Sequence, residues 1–146
     1  MSTVHVALGV AMILSNALAG AWGGWHWWRG GDAPGFWPLL RTGQAVTMVT
    51  AVDGAILVAM GRDLPELHLV YGLVPLGVSF LAEQLRLASA QTVLDHHGLE
   101  GRADVERLDD TRQRALVVEI VRREMGVMAA SAGVVALLGV RAAGLL

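Results

Sequence analysis

Four apolar runs, at 4–21, 38–60, 67–90 and 125–146, alternate with polar or glycine-rich breaks along this chain. A helix of about 20 mostly apolar residues crosses the hydrocarbon core of a bilayer. Each run has that length, and together they leave room for little else. Gly23 with Gly24, and then the Gly30–Gly35 stretch, are expected to close the first run. Gly61, Arg62, Asp63, Leu64 and Pro65 read as a tight turn between the second and third. The pattern predicts an all-α fold: one integral membrane domain over 1–146, an antiparallel four-helix bundle.

Within the connection 91–124, between the third and fourth runs, only Leu99–Glu124 has the character of a soluble protein. Asp110 with Gln113 marks a helix start. Beyond it Leu116, Val117, Ile120 and Val121 form an apolar stripe against Arg112, Arg114, Glu119, Arg122 and Arg123. This predicts an amphipathic helix at the cytoplasmic interface, leading into the fourth span. A solvated charged loop that merely closes the connection is the plainer alternative.

Charge gives the bundle a direction. All eleven basic residues are arginine. Nine of them (Arg29, Arg41, Arg86, Arg102, Arg107, Arg112, Arg114, Arg122 and Arg123) fall in or beside the first and third connections. Only Arg62 and Arg141 lie on the other side. The positive-inside rule then puts both large connections in the cytoplasm of a bacterial inner membrane, with both termini outside. Ala17, Leu18 and Ala19 resemble a small-residue cleavage site, but the first five residues carry no Arg or Lys, as a secretory leader would. Trp22, Trp25, Trp27, Trp28 and Trp37 all fall by the first connection and read as an aromatic belt at headgroup depth. A ligand-stacking aromatic box is the sharper alternative.

Composition agrees and excludes. The chain is 54% hydrophobic and 16% charged, outside the range of ordinary soluble domains. Its net charge of −2 speaks against nucleic acid as a partner. With no cysteine, thiolate metal sites, iron–sulfur clusters and thiol nucleophiles are ruled out. No serine elbow and no His-Glu-x-x-His segment is present, so hydrolytic catalysis has no support.

Ionisable residues inside a span are costly and are the default functional candidates. Helical spacing gives each run one small-and-polar face, for which close helix packing is sufficient reason. Two layers stand out. Near the outer surface the rise per residue places His5, His68, Tyr71 and Asp53 at similar depths. Near the cytoplasm lie Arg41, Gln44, Glu83 and Arg86, read as a structural ion-pair layer of Glu83, Arg86 and Arg41. Two histidines on inward faces of different helices would suit the axial positions of a haem b. With Asp53 they would suit a divalent metal, and packing or hydrogen bonding alone is the third reading. His26, His96 and His97 are expected to be solvated.

Gln44, Gly54, Pro65, Leu67, His68 and Gly72 form a pattern that resembles the four-helix halves of haem A synthase and other small b-type membrane cytochromes. The resemblance covers about 30 residues. It implies His68 as one axial ligand, and with no His in the fourth run only His5 would supply the second. The whole chain also looks like uncharacterised four-span proteins of high-GC bacteria. The shared features are Leu67, His68, Tyr71 and Gly72, and the Arg122–Gly126 segment. Two function classes follow. The chain is expected to be a non-catalytic accessory subunit, associating in the bilayer with other membrane proteins or with its own copies. The alternative is a haem-binding redox protein using His68 and His5, with Tyr71 and Asp53 beside them.

Overall fold

The computed structural model describes residues 3–62 and 65–146. It comprises α1 (Thr3–Arg29), α2 (Phe36–Ala59), α3 (Glu66–His96), α4 (Arg102–Glu106) and α5 (Asp110–Ala142). No strand occurs among the described residues. α1 packs along both α2 and α5, and α5 packs equally along α3, whereas α2 touches α3 and α5 at few points. The four long helices therefore form a ring in the order α1, α2, α3, α5. α5 is its spine, and the seam between α2 and α3 is sparse.

Small residues set the closeness of these contacts. Ala19, Ala82, Ala129 and Ala132 form the tight core with Phe36, Leu40, Met125 and Met128. The large apolar side chains point mostly the other way. Leu14, Leu18, Val52, Ile56, Leu73, Phe80, Leu81 and Leu137 are all more than half exposed. Water would make that arrangement costly, at about 25 cal/mol for each Å² of apolar surface left in contact with it; lipid removes the cost. Three helices, α1, α2 and α5, are long and apolar enough to cross a membrane.

Several boundaries differ from the sequence pattern. α1 does not stop at Gly23 and Gly24 but continues to Arg29. A Cβ on Gly23 would come within 2.3 Å of the buried Phe36 ring, so this glycine admits a neighbour rather than ending a helix. Trp22, Trp25, Trp27 and Trp28 consequently stand on the last two turns of α1, and Trp37 on the first turn of α2. The actual turn is closed by Gly30 and Gly35, both at positive φ. α3 runs past residue 90 to His96. α5 begins at Asp110 and continues unbroken into the fourth apolar run, ending at Ala142 rather than residue 146. Its cap is Asp109, whose carboxylate accepts from the amides of Thr111 and Arg112. The turn residues Asp63 and Leu64 lie outside the described residues.

Candidate functional site

At one end of the ring the first turns of α1 and α3 meet the last turn of α5. His5, on α1, is buried, and its Nδ1 stands 2.8 Å from Asp53 Oδ2 on α2. His68, on α3, places Nδ1 at 3.1 Å from the carbonyl oxygen of Ala142. That carbonyl belongs to the last turn of α5, where the helix supplies no amide to bond it. A carbonyl only accepts, so His68 Nδ1 carries the proton and Nε2 of the neutral ring carries a lone pair. The two imidazole centroids are 5.8 Å apart and the rings are tilted by 55°.

Beside this pair lies a cavity of about 360 Å³. All four long helices contribute to its wall, through His5, Thr47, Thr50, His68, Tyr71 and the backbone at Gly139, with apolar side chains between them. Glycines make the room. A Cβ added at Gly9 or at Gly72, both on the cavity wall, would meet nothing within 4 Å. Within α3, Pro75 has no amide to give the Tyr71 carbonyl, so the helix is weakened one turn below the histidine. The Arg141 guanidinium lies 5.6 Å from the centre of the Tyr71 ring. Asp53 bonds His5 and not His68. No group of three His, Asp or Glu side chains suited to a metal ion occurs among the described residues, so the metal reading with Asp53 has no third ligand.

A polar clamp adjoins the cavity and shares Thr47 with its wall. Asn16, buried on α1, donates to the Met12 carbonyl at 2.9 Å, the Gly43 carbonyl at 3.2 Å and Thr47 Oγ1 at 3.1 Å. It joins α1 to α2 where Gly43 lets the helices approach.

Towards the other end, Arg41, Glu83 and Arg86 do come together. Arg41 and Gln44 donate to the same oxygen of Glu83. Arg86 Nε lies 3.2 Å from the other oxygen, at an angle that makes no hydrogen bond. Glu124 of α5 completes the layer 3.8 Å from Arg86, and the Trp37 ring lies 5.7 Å from the same guanidinium. Two acids and two bases balance, which makes the layer a neutral brace across α2, α3 and α5. The sequence pattern did not show Glu124 as a member, because its partner sits on a helix more than thirty positions away. Nor did it show the Ala142 carbonyl, since a backbone acceptor has no residue signature. His97 is exposed, as expected, and from the end of α3 bonds Glu119 of α5 at 3.0 Å. His26 is half-buried rather than fully solvated, with the Trp22 ring centre at 4.5 Å.

Comparison with family models, with curated proteins and with solved structures finds no match. The functional reading therefore rests on the site itself.

Proposed function

We propose that this chain is a four-span membrane protein that binds a haem b between His68 and His5. The observation that carries the reading is the pair of imidazoles from helices diagonal in the ring, 5.8 Å apart at the wall of an apolar cavity. His5 and His68 are the residues that would hold the iron. The donor set fits the group. Ligating histidines characteristically give their other ring N–H to a carboxylate or a backbone carbonyl, as His5 and His68 do to Asp53 and Ala142. When bound, the haem would supply one-electron transfer. The chain's own contribution is to hold two imidazoles in one orientation, through Asp53 and the end of α5. The glycine-lined wall keeps the space beside them open, and the apolar surround excludes water.

α3 is the fourth crossing in this reading. It is 31 residues long and packs along α5. Its internal charges, Glu83 and Arg86, are matched by Arg41 and Glu124, which removes the main cost of placing it in lipid. Arginine asymmetry puts the histidine end outside and the long connection in the cytoplasm.

The test is a visible spectrum of the protein purified in mild detergent from haem-replete cells. A Soret band that is lost in both His68→Ala and His5→Ala, with helix content retained, is the expected result. A folded, colourless native protein would refute the haem and leave the cofactor-free accessory subunit as the better account.

A further inference from the structure

The tryptophan end of α1 carries a second cluster that the histidine cavity does not use. Trp22, Trp25, Trp27 and Trp28 are between 44% and 71% exposed, so the indoles form a collar rather than a core. Arg29 ends the helix with its guanidinium 4.4 Å from the Trp25 ring centre. Gly30 and Gly31 fold back onto the carbonyls of Trp27 and His26. The turn at Gly30 meets α5, where the Arg122 guanidinium would lie 3.4 to 3.6 Å from a Cβ placed on Gly30. The Arg122 guanidinium of α5 thus stands against the turn that immediately follows Arg29, although the two lie far apart in sequence. Arg123 follows on the same exposed turn of α5.

Five other arginines are matched by carboxylates within the chain. Arg41, Arg86, Arg102, Arg107 and Arg112 each lie within ion-pair distance of a carboxylate. Among the described residues no such pair joins Arg29, Arg122 or Arg123, and Asp32 in the same turn pairs with none of them. Positive charge has been collected here without an internal counter-ion. It sits beside a ring of indoles, the side chains that favour the boundary between hydrocarbon and headgroups.

We propose that Arg29 and Arg122 clamp the phosphate of an anionic phospholipid, with the tryptophan collar covering its glycerol and upper acyl region. Guanidinium forks match phosphate oxygens. Trp27 contributes from behind by packing on α5: its indole occupies the space that a Cβ on Gly126 would need, 2.5 Å away. The proposal requires only that this end of the bundle lie at a membrane surface, and it is independent of any haem.

All five tryptophans lie at this end, so their fluorescence reports the site directly. The experiment reconstitutes the protein in phosphatidylcholine vesicles containing a minor fraction of brominated phosphatidylglycerol, against the same fraction of brominated phosphatidylcholine. Each basic residue at an anionic surface contributes about 1 kcal/mol, or about fivefold in affinity. The anionic lipid should therefore quench well beyond the neutral one, and each of Arg29→Gln and Arg122→Gln should cut the apparent affinity about fivefold. Arg112→Gln, away from the cluster, should not. Circular dichroism on each variant establishes that the helices are retained. Equal quenching by the two lipids, or a preference unchanged in both single variants, would overturn the proposal. Loss of the preference on adding inorganic phosphate would also overturn it, making a free anion the ligand.

Discussion

The crossing of α1 and α5 offers a test in which two glycines in one contact behave differently. A Cβ on Gly20 would lie 2.9 Å from the Gly133 nitrogen, 3.1 Å from its Cα and 3.2 Å from the Ala129 oxygen. All three obstacles are backbone, so no rotamer change relieves them, and the helices must separate. A Cβ on Gly133 would meet nothing within 4 Å. Replacing glycine by alanine in a helix gains about 1 kcal/mol of propensity at either site. Overpacking costs typically 1–3 kcal/mol, and only Gly20→Ala incurs it. Taking the difference between the two variants cancels the propensity gain and isolates the crossing. Gly133→Ala should therefore be more stable than Gly20→Ala by about 1–3 kcal/mol, and at least as stable as the native protein. Unfolding by sodium dodecyl sulfate in mixed micelles, followed by helix content, measures this. Equal effects, or Gly133→Ala as the weaker protein, would refute the packing described for α1 against α5.

Orientation is open to labelling, because the chain has no cysteine of its own. A cysteine replacing Arg107 should be protected in intact cells from a membrane-impermeant thiol reagent, and one replacing Arg62 should react; the reverse would invert the topology. In the charged layer, Arg86→Ala leaves Glu83 with Arg41 and Gln44 but strips Glu124 of its partner. At 26% side-chain exposure the loss should fall between a surface pair, under about 1 kcal/mol, and a buried one, about 3–5 kcal/mol. Glu83→Gln, which keeps an acceptor for Arg41 and Gln44, should be milder in the same unfolding assay, and the opposite ranking would show that the layer is not a brace.

The run of apolar residues by itself determined that the chain is helical and that at least three helices are long and apolar enough for a bilayer. These are local properties: hydropathy and rise per residue are carried by each segment alone. That His5 and His68 stand at one level along the bundle was legible for the same reason, as was the joining of Glu83 to Arg86, three positions apart on one helix. Helix ends were less legible, because a glycine in an apolar helix looks like a stop until its neighbour is known. Gly23 continues α1 only because Phe36 takes its missing side chain. Only the tertiary structure decided the ring order and with it which faces meet. That order sets His68 5.8 Å from His5 while giving Asp53 to His5 alone. It also brings Glu124 to Arg86, and Arg122 to the turn beside Arg29. Such pairings depend on the azimuth of each helix about its axis. Azimuth is set by where small residues on two different helices allow close approach, a property of the pair that neither helix carries alone.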